Sequence, residues 1–404
     1  MKKILTMILM LASMLGVAQT AYVSSTASNS NNVYVINVAT NTAFDIIPVG
    51  SMPQGVSVSP DGTKVYVSNS GDNTVSVINT ATNTVTSTII VGDSPHGISV
   101  NPDGSKVYVT NSDSMVSVIN TLTNSLWATI KVGFDPSGIA VSPDGTKVYV
   151  TNNGSNSVSV INTLTNTVSA TIPFSSAPFG IAVSPDGSNA YVTLGSFNHS
   201  IKVINTSTNT ISNTILDNFS PWAICISPDG SKIYAVNYEI DSVIVVNAVT
   251  DTVSATIPVD SNPNGISITQ DGSKVYVINE NNNSISVINT TTNTVSATIP
   301  IGNQPICMGN FIGPSNVGVP SLVNPTPTLT LYPNPSKGIF TISTTSNQTP
   351  KDIIVYDVLG NIIYQQSNIK ETTVTIDLST RAKGVYFVKV IGDTEVALSK
   401  VVLE

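Results

Sequence analysis

Asp-Gly recurs six times along the chain, at Asp61-Gly62, Asp103-Gly104, Asp144-Gly145, Asp186-Gly187, Asp229-Gly230 and Asp271-Gly272, at intervals of 41–43 residues. A period of this length belongs to propeller blades and to some helical solenoids, and residue choice separates the two. Each copy is rich in Val, Ile, Thr and Tyr, alternates with a period of two over short runs, and is punctuated by Pro-Asp-Gly and Thr-Asn turns. That is the pattern of strands joined by hairpins, and it excludes helical repeats.

Four strands fit each copy. In the third they are expected at 138–142, 147–152, 157–162 and 168–172, with Gly145 supplying the positive φ of a tight hairpin and Thr163-Leu-Thr-Asn166 closing the third turn. Four-stranded antiparallel units repeated radially are blades, packed on both faces, which accounts for their apolar strands. The ends of the array set the blade number. Residues 22–50 lack a first strand, and 305–312 read as a lone first strand with nothing after it. The expected fold is therefore all-β: a seven-bladed propeller whose seventh blade is closed by the C-terminal strand joining the N-terminal three. Closure removes two exposed sheet edges.

Outside the array, residues 1–18 read as a signal peptide: Lys2 and Lys3, an apolar run over 4–15, and Gly16-Val-Ala18 before the cleavage point. The run is too short to span a bilayer, no other stretch reads as a transmembrane segment, and no Cys follows that would take a lipid. The propeller is assigned to 19–313 and a Pro-rich linker to 314–328. A smaller domain follows at 329–404, with strands at 339–343, 352–358, 362–366, 373–378, 385–391 and 395–402, the spacing of an immunoglobulin-like sandwich. Charged residues make up 10% of the chain and the net charge is -8, which argues against nucleic acid as a partner. Cys225 and Cys307 fall in non-neighbouring blades, so they read as small apolar fillers near the axis rather than a disulfide.

Tyr149-Val-Thr-Asn152 and Tyr108-Val-Thr-Asn111, with the variants Tyr66-Val-Ser-Asn69, Tyr234-Ala-Val-Asn237 and Tyr276-Val-Ile-Asn279, resemble the YVTN-repeat β-propeller family over residues 22–312. The resemblance implies a secreted or surface-exposed seven-bladed propeller. It implies no single activity, since relatives range from surface-layer proteins to propellers resembling lactonases and dehydrogenase subunits. In the tail, Leu331-Tyr-Pro-Asn-Pro-Ser-Lys-Gly338, Val355-Tyr-Asp-Val-Leu-Gly-Asn361 and Gly384-Val-Tyr-Phe-Val-Lys-Val390 resemble the type A sorting domain of the type IX secretion system of Bacteroidota. This implies passage by the general secretory route and then by the type IX machinery, often with removal of the tail and attachment to the cell surface. The chain departs from that pattern at its very end, where Lys400 is the one basic residue of 399–404.

Catalytic chemistry is sparse. The only two histidines, His96 and His199, lie two copies apart, and no nucleophile elbow, Cys-His pair or phosphate loop occurs. The repeated Asp of Pro-Asp-Gly is turn chemistry, so no metal and no cofactor is expected. Variation concentrates at the turn entering each first strand, where the copies carry Gln54, His96, Ser137, Phe179, Trp222, Asn264 and Ile306. In a propeller these turns ring the channel mouth, beside the loops between second and third strands, where ligands bind. One sector departs most: Leu194-Gly-Ser-Phe-Asn-His199, containing Phe197 and His199, is followed by Tyr238-Glu239-Ile-Asp241, and Phe174, Phe179, Phe219 and Trp222 belong to the same copies. In a chain only 6% aromatic this reads as an apolar platform with carboxylate neighbours, able to stack on sugars or anchor a protein. Trp222, beside the Ala223 that replaces the usual Gly, reads more as an inter-blade filler than as a ligand contact. The expectation is a secreted, non-enzymatic binding or structural module for a glycan or a surface protein. Its rivals are a lactonase-like enzyme at the channel mouth and a purely structural envelope component.

Overall fold

The computed structural model describes residues 19–26, 31–195, 199–216, 220–314, 329–344, 352–357, 362–367, 369–391 and 396–404. The expected signal segment, residues 315–328, Phe197 and Phe219 lie outside them. Two compact units divide at Gly318 and Val319.

In the third copy the strands are Pro136–Val141, Lys147–Asn152, Ser157–Asn162 and Thr167–Pro173, hydrogen-bonded in chain order into one antiparallel sheet. The same sheet recurs over 53–90, 95–131, 178–216, 221–258 and 263–300. The first strand begins earlier than its sequence pattern, because Pro136 pairs with Asn152 before a bulge brings Ile139 opposite Val150. The Asp-Gly connection is also wider than a two-residue hairpin. The Gly145 amide donates to Ser142 O (2.8 Å) and the Ser142 amide to Lys147 O (2.8 Å), with Gly145 at φ +71°. Asn closes the next turn: Asn162 Oδ1 accepts from the Leu164 and Thr165 amides, and Asn166 takes φ +52°.

Within the first of these turns the Asp is a fastening. Asp144 accepts from Ser142 Oγ (2.6 Å), the Thr146 amide (3.0 Å) and Thr146 Oγ1 (2.8 Å). The Ser142 hydroxyl, then the Thr146 amide, hold the Asp144 carboxyl below its ordinary range, and the matching Ser227 and Ser231 groups bring Asp229 down to about 2. In Asp61, Asp103 and Asp271 burial is the largest single influence and acts upward, but the hydrogen bonds together outweigh it. Groups whose folded pKa is depressed stabilise above the unfolded value and lose that contribution as pH falls through the folded one. Thermal stability should therefore fall between about pH 4 and about pH 2, and replacing all six Asp with Asn should flatten that acid limb. An unchanged Tm-against-pH curve in the sixfold variant would remove the turns from the acid response.

Each pair of successive sheets shares a buried layer. Tyr149, Val158 and Val160 of the third copy pack with Ala190, Val192 and Ile204 of the fourth, and corresponding layers join the first copy to the second, the second to the third, the fourth to the fifth and the fifth to the sixth. The repeat Tyr is the largest member: Tyr66, Tyr108, Tyr149, Tyr234 and Tyr276 are fully buried. Lysines tie the sheets further. Lys64 Nζ donates to Thr121 O (2.7 Å), Lys106 Nζ to Thr163 O (2.6 Å) and Lys147 Nζ to Thr206 O (2.5 Å), each reaching from a second strand into the next copy. Lys274 Nζ makes the same reach from the sixth copy to Val38 O (2.8 Å), near the N-terminus.

The remaining sheet has the order Pro305–Ile306, Thr20–Ser25, Asn32–Asn37, Thr42–Pro48. The segment expected as one strand over 305–312 is interrupted. Ile306 pairs with Ser24 and Ile312 bridges Ala21, but between them Gly309 at φ +126° turns the backbone toward the first copy. There the Val56 amide donates to Met308 O (3.1 Å), the Met308 amide to Gln54 O (3.2 Å) and the Val58 amide to Asn310 O (3.1 Å). This short stretch thus bonds to the N-terminal strand and to the first strand of the first copy. Cys307, Phe311 and Ile312 lie in a buried cluster that also holds Tyr22, Val35, Val56 and Tyr276.

The C-terminal unit is two sheets, one of Leu329–Tyr332, Ile339–Thr344 and Thr373–Asp377, the other of Ile362–Ser367, Asp352–Tyr356, Gly384–Ile391 and Val396–Leu403. Phe340, Ile342, Ile353, Val355, Val388 and Val401 fill the space between them. Leu329–Tyr332 is one strand more than the sequence pattern yields, because Pro333 and Pro335 directly follow it and mask it as a turn.

Candidate ligand-binding site

The residues that vary at the start of each first strand are held by residues that do not vary. In the third copy Thr151 Oγ1, from the Tyr-Val-Thr-Asn element, accepts from the Gly138 amide of its own first strand (2.7 Å) and donates to Phe179 O of the next copy (2.6 Å). Thr110 does the same between the Gly97 amide (2.9 Å) and Ser137 O (2.9 Å), Thr193 between the Gly180 amide (2.8 Å) and Trp222 O (2.6 Å), and Ser68 between the Gly55 amide (2.8 Å) and His96 O (2.5 Å). All four hydroxyl residues have no exposed surface. Each of these hydroxyls spends its one proton on the next copy, so the backbones of His96, Ser137, Phe179 and Trp222 are held without their own side chains. Glycine is required opposite, because a Cβ on Gly138 would stand 2.3 Å from Phe179 O.

Some of these positions reach a cavity of about 590 Å³ lined by the first strands. Ser137, Phe179 and Trp222 line it; Gln54, His96 and Asn264 do not. His96 is half-buried, with burial pushing its imidazole down against the upward pull of Asp135, and its Nε2 lies 3.4 Å from Ser94 Oγ. Asn264 is turned inward: its Nδ2 donates to Glu280 Oε2 (3.1 Å) and Pro305 O (3.1 Å), so it braces the seam instead of facing the opening. Glu280, which also accepts from Asn262 Nδ2 (3.0 Å), follows Asn279 just as Tyr238 follows Asn237, and that register was the available sequence signal for it.

The aromatic sector assembles as a contact chain. The rings of Phe179 and Trp222 lie 4.2 Å apart at 30°, and Tyr238 meets Trp222 edge-on at 5.9 Å and 85°. Trp222 therefore both packs beside the buried layer joining the fifth and sixth copies and carries the cluster outward. Tyr238 is 38% exposed, and Glu239 beside it is exposed. Gly195 lies under Phe179, since a Cβ there would come within 3.2 Å of the ring. His199 is engaged elsewhere: its Nδ1 is 2.9 Å from Ser220 Oγ, a fully buried hydroxyl also bonded to Gly195 O (3.2 Å). Phe134, which the sequence pattern did not single out, is 64% exposed in the turn before Ser137 and shields Gly154. Phe174 instead lies in the buried layer between the third and fourth copies.

Cys225 and Cys307 both line the cavity and both are free thiols, pushed up by burial. Among the described residues no three His, Cys, Asp or Glu side chains converge to hold a metal ion, and no helix is long and apolar enough to cross a membrane.

Residues 330–404 match the family described as Secretion system C-terminal sorting domain, and residues 56–151 match the YNCE-like beta-propeller family. Comparison with curated proteins finds no match. Among solved structures, hydrazine synthase of Kuenenia stuttgartiensis is similar with a TM-score of 0.61 at 20% identity, over 79% of this chain and 97% of that one. A functionally unknown protein from Desulfotomaculum acetoxidans is similar with a TM-score of 0.61 at 19% identity, over 72% of this chain and 100% of its own. At such identities the likeness speaks for the fold alone. The sorting tail marks the chain for the type IX route to the cell surface or beyond, and the chain thus carries a YNCE-like β-propeller match over residues 56–151 and a type IX secretion sorting domain over residues 330–404.

Proposed function

We propose that the propeller is a seven-bladed, non-catalytic binding module, displayed outside the cell, that takes a glycan or a surface protein at its channel mouth. The seam sheet supports the blade number, because it joins strands from both ends of the array and Lys274 reaches it just as the other lysines reach the next copy. The observation that carries the binding reading is the Phe179–Trp222–Tyr238 contact chain, in which Phe179 and Trp222 line the cavity and Tyr238, next to Glu239 in the chain, is 38% exposed. Aromatic surface held on a rigid frame is a low-entropy contact for sugar C–H faces or apolar side chains. The Ser220–His199 pair lies apart from this surface, since its hydroxyl is fully buried.

The test is a glycan and surface-protein array probed with the exported protein and with Trp222→Ala and Tyr238→Ala. Saturable binding that weakens by about tenfold in either variant is expected, a loss of roughly 1.4 kcal/mol. Binding unaltered in both variants would remove the aromatic chain from the ligand site.

A further inference from the structure

The cavity below the mouth has two unlike sides. Opposite the repeat tyrosines, each first strand contributes one small residue. On one side, in three consecutive copies, these are Ala140, Ala182 and Cys225; on the other they are Ser267, Ser57 and Ser99, with Asn310 of the seam between the first two of these. Ser267 Oγ donates to Asn310 Oδ1 (2.9 Å) and Ser57 Oγ accepts from the Val100 amide (3.3 Å); these two serines are nearly fully buried, so Asn310 and Ser99 are the polar groups this side exposes. Phe179 and Trp222 belong to the copies of Ala182 and Cys225, which puts the stacked rings on the apolar side. One residue further along, half-buried Val100, Val141, Val183, Ile226 and Ile268 also line the cavity. No Asp, Glu, Lys, Arg or His contributes to the lining.

A cavity of about 590 Å³ lies within the roughly 300–1,000 Å³ typical of small-molecule sites. An uncharged lining offers nothing to offset the desolvation of an ionised group, so a charged ligand is disfavoured there. An aromatic and aliphatic side facing a hydroxyl and amide side fits a molecule with an apolar face and hydroxyls on its other edges. A pyranose ring has that division, its C–H face suited to aromatic stacking and its hydroxyls to Ser and Asn.

We propose that the channel receives the end of a neutral saccharide chain, its leading ring stacked against the Phe179 and Trp222 side and its hydroxyls turned to Ser99 and Asn310 on the other. This rests on the reading of the mouth as a ligand site, and it replaces a choice of ligand classes with one: an uncharged glycan recognised at its terminus.

The experiment is calorimetric titration of the full exported protein with neutral gluco-, manno- and xylo-oligosaccharides and with oligogalacturonate as the anionic counterpart. Binding of at least one neutral series is expected, with oligogalacturonate about tenfold weaker or more, and with one site per chain end rather than per unit mass of polymer. Two variants narrow the channel from opposite sides, Ala182→Met and Ser99→Met, and their thermal unfolding checks that the blades persist. Each should weaken binding by about tenfold or more while the mouth rings are intact. If Trp222→Ala abolishes binding and both channel variants bind normally, the ligand lies across the mouth and the channel inference is overturned. If neither the mouth nor the channel variants change binding, both readings fall. Equal binding of oligogalacturonate, or no binding of any neutral series, would overturn the inference as well.

Discussion

Phe311→Ala should cost about 3–5 kcal/mol of stability, the range for emptying a fully buried phenylalanine site. Phe311 has no exposed surface and sits in the cluster that joins the sixth copy, the seam sheet and the first copy. The Tyr22 amide donates to Phe311 O (2.9 Å), so the ring and its backbone anchor the N-terminal strand together. Denaturant unfolding of the variant should show a lower midpoint with a similar slope. Phe44→Ala is the matched control, because Phe44 is 58% exposed on an outer strand and its removal should change stability by about 0.5 kcal/mol or less. A loss below about 1 kcal/mol for Phe311→Ala would mean that the last ten residues of the array decorate the ring without holding it.

The second large effect concerns export. A chain lacking residues 330–404 should cross the inner membrane and stop there, absent from the cell surface and from the medium. Those residues match the secretion sorting family as a block and have a buried core of their own, with Phe340, Ile353, Val388 and Val401 drawn from both sheets. A unit that packs by itself can be moved by itself, so residues 319–404 fused to an unrelated periplasmic protein should carry that passenger outside. Fractionation and surface proteolysis measure both outcomes. Appearance of the truncated chain in the medium at full level would show that the tail is dispensable. Lys400→Ala tests the departure noted at the chain end: if this single basic residue contributes, the variant should export less than the parent chain.

The scaffold was legible because its chemistry is local. Lys147–Asn152 and Ser157–Asn162 end where the Thr-Asn and Asp-Gly patterns place them, since Asn162 and Asp144 bond to backbone only a few residues away. Non-local bonds were less visible. Pro136 joins its strand by pairing across a bulge, and Gly309 breaks the seam strand because Met308 finds partners on the first copy; neither cause is written next to the residue it affects. The same division runs through the site. A concentration of aromatics at Phe179, Trp222 and Tyr238 can be read from the chain, but the contact of Phe179 with Trp222 depends on first strands of neighbouring copies lying side by side. Asn264 shows the limit of position alone: it occupies the same turn as Ser137 and Phe179, yet Glu280 and Pro305 O draw its amide into the seam.

The seam sheet also sets the order in which the molecule can be finished. Ser24 donates its hydroxyl to Ile306 O, a contact separated by 282 residues. A chain delivered N-terminus first brings Thr20–Ser25 across early, but that strand has to wait for its innermost neighbour until nearly the whole array has followed. The partner arrives only a few residues before the stretch that leads to the sorting tail. Completion of the seam sheet is therefore timed by the last part of the array to emerge, whereas the six sheets of consecutive strands can form as they follow one another.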